Sequence, residues 1–459
     1  MRLDAKIVAS FLCFKIHRIY YWCLKMRLYA KINIRGSGML IKRDRYLNKL
    51  ISKKWNGMIK VITGIRRCGK SYLLFELFKQ HLIDNGVEAN QIIEISLDSV
   101  EFEDLQDKKK LNQYIQSKIR GDKNYYVLLD EIQLVDGFEL LLNGLLKQKN
   151  IDVYVTGSNS KFLSSDIITE FRGRGDEVRV HPLSFQEFYD SYKGDKHNAY
   201  SEYSIYGGMP ALVEMDSHEA KSSYLSNLVE NVYLTDIIDR NDLKKDKEIL
   251  SELLDILSSA IGSLTNPSKL VKAYESVKHI KINRETISNY LDCFLDAFLI
   301  SKVQRYDIKG KAYIDSPFKY YFEDIGLRNA RINFRQNEPT HTMENIIYNE
   351  LIVRGYSVDV GIVEVNYKDE KKKSQRKQVE VDFVCNKGNA KYYIQSAYAL
   401  ENQDKINQET RGLNKITDSF KKIVVVKDCY VPWYDEKGIL YMGLEDFLLN
   451  PNSLDIQAL

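Results

Sequence analysis

The chain has 459 residues, which is long enough for two to four domains that each bury a hydrophobic core. Hydrophobic residues make up 44% and charged residues 28%, as in globular proteins. No apolar run approaches the roughly 20 residues needed to span a bilayer, so we expect no membrane partner. The six cysteines are scattered without a CxxC pair, which argues against a zinc site or a disulfide framework and favours a cytoplasmic protein.

The formal net charge of +4 comes mostly from residues 1–38, which contain eight lysines or arginines and one acid. Without them 59 basic and 62 acidic residues remain, so there is no general electrostatic case for nucleic-acid binding. Residues 1–38 also lack the cleavage-site pattern of a signal peptide. We expect a basic extension outside the fold or sequence upstream of a start at Met39, with a membrane-surface helix as the alternative.

A glycine-bracketed loop follows the first predicted strand, Ile59–Thr63. The loop fits the pattern G-x-x-x-x-G-K-[ST], and a helical pattern opens directly after it. A strand that delivers such a loop to a helix N-terminus presents backbone N–H groups and the helix dipole to phosphate. We therefore predict an ATP site. Its predicted nucleotide-binding residues are Gly64, Ile65, Arg66, Arg67, Cys68, Gly69, Lys70, Ser71 and Tyr72.

The fixed residues of this loop have separate physical tasks. Gly64 and Gly69 allow backbone conformations that a Cβ would forbid. Lys70 is expected to reach the β- and γ-phosphates as a point charge, and the Ser71 hydroxyl to ligate Mg²⁺.

A second strand that ends in two acids, Tyr125–Glu131, is apolar without alternation. Such a run is typical of a central parallel strand covered on both faces, and ligands bind at the carboxyl ends of such strands. We predict that Asp130 holds Mg²⁺, because a hard cation prefers oxygen ligands, and that Glu131 orients the attacking water. The alternative is a pair of solvated acids that cap the next helix.

Two further polar positions are candidates for catalysis. Ser158 follows the predicted strand Ile151–Thr156, where it either contacts the γ-phosphate and lytic water or caps the next helix. Arg174 precedes the predicted strand Glu177–His181. It either acts on the nucleotide of a neighbouring subunit, a contribution of roughly 10³–10⁵ in rate where it operates, or is a surface arginine in a glycine turn.

These motifs and several later segments resemble a family of uncharacterised prokaryotic AAA-type ATPases that share a C-terminal domain of unknown function. The resemblance runs from about Met39 to the C-terminus and implies Mg-dependent ATP hydrolysis. It also implies that Arg174 occupies the place of the arginine finger of AAA proteins. The segments that carry it, besides the phosphate loop, are Leu128–Gln133, Thr156–Ser160, Gly173–Arg174, Pro182–Phe188, Tyr206–Pro210, Asp236–Arg240, Tyr320–Asn329 and Val381–Val384.

The middle of the chain predicts a winged-helix outline. Asn283 is expected to cap a helix with a one-faced apolar stripe, and a shorter helix around Ser268 to Tyr274 precedes it. A predicted strand pair around the turn Lys309–Lys311 would form the wing. The second helix would either read a DNA groove or belong to a rigid spacer; the side chains expected to face outward are Arg284, Thr286, Ser288 and Asn289.

The last part of the chain resembles a restriction-endonuclease core. Glu344 lies on a predicted helix, Asp382 on a predicted strand, and Lys391–Ala397 on its hairpin partner, after a basic loop predicted at 368–377. Such cores cleave phosphodiesters with Asp on one strand and Asp/Glu-x-Lys on the next. Here Gln395 stands at the position of the second acid and Ala397 at that of the lysine, so we expect a binding or structural role without cleavage.

We predict an α/β protein with three folded parts. Residues 39–200 form an AAA-type P-loop ATPase core with a parallel sheet, 201–318 a helical linker and winged-helix-like module, and 319–459 a nuclease-like domain. With ATP and Mg²⁺ as cofactors, hydrolysis in a homo-oligomer would drive or gate an interaction with DNA or a protein. Two alternatives are an ATP-switched DNA- or protein-binding module with little turnover and an ATP-steered nuclease.

Overall fold

The computed structural model describes residues 41–157, 173–278, 281–335, 338–368, 374–429 and 431–455. The chain divides into residues 1–42, of which all but two lie outside these ranges, and residues 43–459, which form one unit built on two β-sheets. The predicted extension 1–38 and Ser158 lie outside the described residues.

The first sheet is fully parallel and has the strand order β2-β3-β4-β1-β5. Every residue of β1, β3 and β4 is buried, because alternate side chains pack into cores on opposite faces of the sheet. The prediction of a central parallel strand that ends in acids is confirmed by β3. The strands are β1 Ile59–Thr63, β2 Ile92–Ser96, β3 Tyr125–Asp130, β4 Ile151–Thr156 and β5 Gly175–Arg179.

Helices connect and cover the two sheets, and no helix in the described ranges is long and apolar enough to cross a membrane. Two of them contain a π-helical stretch between α-helical ends. The α-helices are α1 Asp44–Ser52, α2 Lys70–Tyr72 with Leu73–Phe78 and Lys79–Asp84, α3 Lys108–Lys118, α4 Phe138–Leu145, α5 Phe185–Ser191, α6 Ala199–Tyr206, α7 His218–Asn227 with Leu228–Leu234 and Thr235–Arg240, α8 Lys247–Ser259, α9 Pro267–Lys278, α10 Arg284–Asp296, α11 Ile325–Arg331, α12 Pro339–Val353, α13 Gln403–Thr410 and α14 Leu444–Leu449. The 3₁₀ turns are Ala89–Gln91, Val100–Gln106, Ile132–Leu134, Lys196–Asn198, Pro210–Glu214, Lys244–Asp246, Leu413–Lys415 and Ser453–Asp455.

The second sheet is mixed and has the order β12-β13-β11-β10-β9-β8-β6-β7. Its centre is the antiparallel run β8-β9-β10, to which β11 adds in parallel. The helix α12 packs against β7, β8, β9 and β10. The strands are β6 Ile300–Asp307, β7 Ala312–Phe322, β8 Ser357–Lys368, β9 Ser374–Lys387, β10 Ala390–Ala397, β11 Lys421–Val426, β12 Trp433–Tyr434 and β13 Ile439–Gly443.

The predicted wing needs a correction. Asn283 does cap α10, since its side chain accepts a hydrogen bond from the Thr286 N–H at 2.7 Å, and the strands β6 and β7 follow as a hairpin. The hairpin is not a free wing, because β6 pairs in parallel with β8 and so becomes part of the second sheet. The predicted domain boundary between residues 318 and 319 accordingly falls inside β7.

The basic loop predicted at 368–377 is also shorter than expected. The antiparallel pairing of β8 and β9 continues as far as Lys368 opposite Ser374, so strand structure covers both ends of the predicted loop. Residues 369–373 lie outside the described residues. A run of polar residues has no alternation of polar and apolar positions that would predict a strand, which explains the error.

Candidate functional site

The loop after β1 is shaped by two glycines in left-handed conformations. Gly64 has φ +137°, and a Cβ added to it would lie 2.0 Å from the carbonyl oxygen of Val180. Gly69 has φ +98° and starts α2. Both positions therefore require glycine, one for lack of space and both for their backbone angles.

Lys70 lies across this loop and is only 5% exposed. Its Nζ donates hydrogen bonds to the carbonyl oxygens of Gly64, at 3.0 Å, and Ile65, at 3.1 Å. The ammonium group is thereby held inside the curve of the loop, where a phosphate would lie against the backbone N–H groups.

Ser71 joins the loop to the acidic end of β3. Its hydroxyl donates to Asp130 Oδ2 at 2.6 Å, and the Thr156 hydroxyl donates to the other oxygen of the same carboxylate. Burial raises the pKa of Asp130, while these two hydrogen bonds lower it. A buried carboxylate whose hydrogen-bond donors are neutral hydroxyls is well suited to a cation, and a hydroxyl plus a carboxylate are ligands that Mg²⁺ prefers.

Glu131 follows in a left-handed conformation, with φ +52°. Its backbone N–H donates to the Thr156 hydroxyl at 3.0 Å, and its carboxylate accepts a hydrogen bond from the Gln133 amide. Thr156, at the end of β4, therefore orients both acids, although sequence reasoning assigned it no role. The sequence feature that could have indicated this role is the position of Thr156 at the carboxyl end of a buried strand.

A cavity of about 1050 Å³ opens over the loop and brings together Lys70, Ser71 and Glu131. Residues that the sequence analysis had not connected with this site form its far side: Pro210 and Ala211 of the 3₁₀ turn, and Tyr224, Asn231, Val232 and Arg240 of α7. The helix α7 therefore forms one wall of the cavity, and we call it the lid.

Ion pairs and a hydrogen bond join the lid to the phosphate loop. Asp236 Oδ1 lies 3.2 Å from the Arg66 guanidinium and 3.0 Å from Arg240 Nε, and the Tyr233 hydroxyl donates to the Arg66 carbonyl at 2.8 Å. Burial raises the pKa of Asp236, and the two arginines oppose that shift. The segment Asp236–Arg240 was used only for the family resemblance; the structure places it at the phosphate loop.

Arg174 lies away from the phosphate loop of its own chain. It is exposed, and its carbonyl accepts a hydrogen bond from the Ile59 N–H at 2.9 Å, at the end of β1 opposite the phosphate loop. It does not line the cavity. An action of Arg174 on nucleotide would therefore require a second subunit.

The parallel sheet, the phosphate loop after its β1 strand and the acids after β3 define a P-loop nucleoside triphosphatase fold of the AAA type. Residues 56–189 match the family model of an AAA domain, and residues 197–338 match that of a domain of unknown function, DUF8612. The expected combination of an AAA domain with a C-terminal domain of unknown function is thus confirmed.

Relatives cover almost the whole chain. An uncharacterised protein of Haemophilus influenzae is 36% identical over 419 residues, which are 90% of this chain and 100% of the relative. The chain belongs to the family of that protein. An uncharacterised protein of Methanocaldococcus jannaschii is 29% identical over 435 residues, 90% of each chain.

Two solved structures are similar at low identity. Cdc6p from Pyrobaculum aerophilum is 12% identical with a TM-score of 0.29, over 68% of this chain and 96% of that one. The Hsp104–ADP complex of S. cerevisiae is 13% identical with a TM-score of 0.30, over 69% of this chain and 43% of that one.

We expect the substitution Gly64→Ala to abolish nucleotide binding and lower the melting temperature, because the new Cβ would collide with the Val180 carbonyl. Gly57→Ala is the matched control: its φ is +76°, yet no atom lies within 4 Å of the added Cβ. The control should show only backbone strain, on the order of 1–3 kcal/mol. Thermal unfolding and nucleotide titration check this; wild-type binding by Gly64→Ala would contradict it.

Proposed function

We propose that the protein binds ATP with Mg²⁺ at the phosphate loop and hydrolyses it. The observation that carries this proposal is the 2.6 Å contact of Ser71 Oγ with Asp130 Oδ2, beside the buried Lys70, on the floor of the cavity. These are the two protein ligands expected for a Mg²⁺ ion that takes its remaining ligands from phosphates and water. Bound Mg²⁺ would neutralise charge on the β- and γ-phosphates.

The chain's own residues then have distinct tasks. Lys70, already desolvated by the loop, binds the β- and γ-phosphates and stabilises negative charge that develops on them. Glu131 lines the cavity and orients the attacking water through its carboxylate. Thr156 fixes Glu131 through the backbone N–H, so that the acid stays next to Asp130. Ser158 is a further candidate for contact with the γ-phosphate.

Arg174 is proposed to complete the site of an adjacent subunit. Its exposure and its position at the opposite end of β1 support action between subunits, since it is remote from the nucleotide of its own chain. The proposal therefore includes a homo-oligomer. In it, one subunit supplies the phosphate loop and its neighbour supplies the arginine.

The C-terminal part is proposed to bind the partner, DNA or protein, on which ATP turnover acts. We retain the division into an ATPase core, 39–200, and two following parts, 201–318 and 319–459, with the β6–β7 hairpin shared by the second sheet. The topology of α10, β6 and β7 supports a winged-helix-like origin for that hairpin. In the part of the chain that the structure describes, Cys68, Cys385 and Cys429 are free thiols, which supports the cytoplasm as the compartment.

The nuclease-like acids of the second sheet are proposed to be silent. Lys319 Nζ lies 2.7 Å from Glu344 and 2.5 Å from Glu380, so the ammonium group of a lysine from β7 already pairs with both carboxylates. Burial and then Glu344 raise the pKa of Asp382 well above its usual range, against the effect of Lys319. Because Lys319 already pairs with Glu344 and Glu380, it would compete with Mg²⁺ for the oxygens of these acids.

We expect Lys70→Ala to abolish ATP binding and Glu131→Gln to retain binding while turnover falls by roughly 10²–10⁴. The first change removes the phosphate's positive partner; the second removes only the group that orients water. Glu139→Gln, on α4 outside the cavity lining, is the control and should hydrolyse normally. Isothermal titration and phosphate release measure both steps, and normal hydrolysis by Glu131→Gln would refute its assignment.

We expect Arg174→Ala to bind ATP normally but hydrolyse it slowly. When Arg174→Ala is mixed with Lys70→Ala, which binds no ATP, activity should rise above that of either variant alone, because intact loops then face intact arginines in mixed oligomers. Arg376→Ala, which removes an exposed arginine of the second sheet, should behave as wild type. If Arg174→Ala alone turns over ATP at the wild-type rate, the proposed role between subunits is wrong.

We expect purified protein to leave DNA intact with Mg²⁺ or Mn²⁺, with and without ATP, because Gln395 and Ala397 replace the acid and lysine of the cleavage pattern and Lys319 is already paired with acids. Gel analysis of supercoiled plasmid is the measurement, and Asp382→Ala is the control for contaminating nucleases. Cleavage by the wild type that disappears in Asp382→Ala would overturn the silent assignment.

A further inference from the structure

Two consecutive acids, Glu323 and Asp324, stand where β7 of the second sheet ends and α11 begins. Both are buried, at 7% and 3% exposure. They belong to the segment Tyr320–Asn329, which carried part of the family resemblance and has no role in the chemistry above. Buried carboxylates are retained at a cost in desolvation unless charges or N–H groups compensate them, so their partners are informative.

The partners of Glu323 lie at the end of β5 and directly after it. Its carboxylate oxygens lie 2.9 Å from the Arg179 guanidinium and 2.6 Å from His181 Nδ1. Burial alone would raise the pKa of Glu323, but the charges of Arg179 and His181 lower it to about 2. Glu323 is therefore an ionised carboxylate at the end of β7 in the second sheet, and it forms ion pairs with residues at the end of β5 in the first sheet.

Val180, which lies between the two residues that Glu323 holds, is in direct contact with the phosphate loop. The Val180 carbonyl oxygen accepts a hydrogen bond from the Cys68 thiol at 3.3 Å. The same oxygen leaves no room for a side chain at Gly64. The Arg43 guanidinium also connects the two segments, since it donates to the Cys68 carbonyl at 3.3 Å and to the His181 carbonyl at 2.5 Å. A shift of His181 would thus be transmitted to the loop.

Asp324 holds the other side of the site. Its Oδ2 accepts the Gly208 N–H at 2.6 Å, and its Oδ1 accepts the Leu327 N–H at 3.2 Å. Burial raises the pKa of Asp324 to about 6, against the effect of these N–H donors. A side chain at Gly207 would collide with the same carboxylate, because the added Cβ would lie 2.2 Å from Oδ1.

Beyond Gly208 the chain turns directly into the wall of the nucleotide cavity. Pro210 and Ala211 line that cavity, and Pro210 Cγ lies 3.9 Å from the position of a Cβ on Gly69. The Gly208 carbonyl accepts the Leu183 N–H at 2.7 Å, which ties this segment to the one held by Glu323. Glu323 therefore holds the segment 179–181 and Asp324 the segment 207–208, and both segments lie next to the phosphate loop.

We propose that Glu323 and Asp324 are positioning residues for the phosphate loop, through which the C-terminal sheet sets the affinity of the ATP site. This inference rests on the proposed ATP function. Neither carboxylate lines the cavity, so both act through His181 and Gly208. Because coupling of this kind is reciprocal, a partner that shifts the end of β7 changes ATP affinity by the factor by which ATP changes affinity for the partner.

The test uses the full-length variants Glu323→Gln and Asp324→Asn, which keep shape and remove charge. Each is expected to raise KM for ATP by about 5-fold or more while kcat changes less. Without nucleotide, amide hydrogen exchange should accelerate in 64–71 and 207–211 and stay unchanged in β8 and β9. The control is Asp359→Asn, which alters a buried carboxylate of β8 whose hydroxyl partner, Tyr313, lies in the same sheet at 3.4 Å.

Wild-type KM together with wild-type exchange in 64–71 would overturn the proposal. So would exchange that rises equally throughout the chain, because it would indicate general destabilisation. Failure of the ATP function itself is a separate result: the wild-type protein would then neither hydrolyse ATP nor change its exchange when ATP is added. The nucleotide-free exchange of the two variants decides the positioning role in that case too.

Discussion

The burial of β1, β3 and β4 on both faces determines where charged chemistry can lie in this protein. A charged side chain inside such strands needs a partner, as the pair of Lys60 on β1 and Asp152 on β4 illustrates. The charged residues of the nucleotide site lie instead at the carboxyl ends of the strands. Asp130 is the last residue of β3, Glu131 follows it, and Lys70 ends the loop that leaves β1.

The two acidic centres of the molecule differ in what balances their charge. Asp130 is buried with hydroxyl donors from Ser71 and Thr156, whereas Glu344 is paired with the ammonium of Lys319. A carboxylate with neutral donors retains its attraction for a divalent cation; a lysine-bound one has largely lost it. The acid at the phosphate loop is thus held by neutral donors, whereas the acids of the second sheet are held by a lysine.

The sequence was sufficient for features that depend on neighbours in the chain. The phosphate loop, the acids after β3 and the Asn283 cap are local patterns, and the elements they predict are observed. The lid was missed because Arg240 reaches Arg66 only through Asp236, across about 170 residues of chain. The wing was misread for the same reason: a hairpin pattern gives no information about which sheet its edge will join, and β6 joins β8.

The lid and the positioning residues converge on α11. Arg331 of that helix pairs with Glu230 of the lid and with Asp255 of α8, while Asp324 caps its first turn and holds Gly208. The lid and the end of β7 are therefore joined through one helix, α11, which follows β7 after only two residues. Because packed interiors transmit small shifts rather than absorb them, a displacement of the lid would be transmitted through α11 to the end of β7. The contacts of α11 thus supply the physical connection that coupling between the cavity and the second sheet would require.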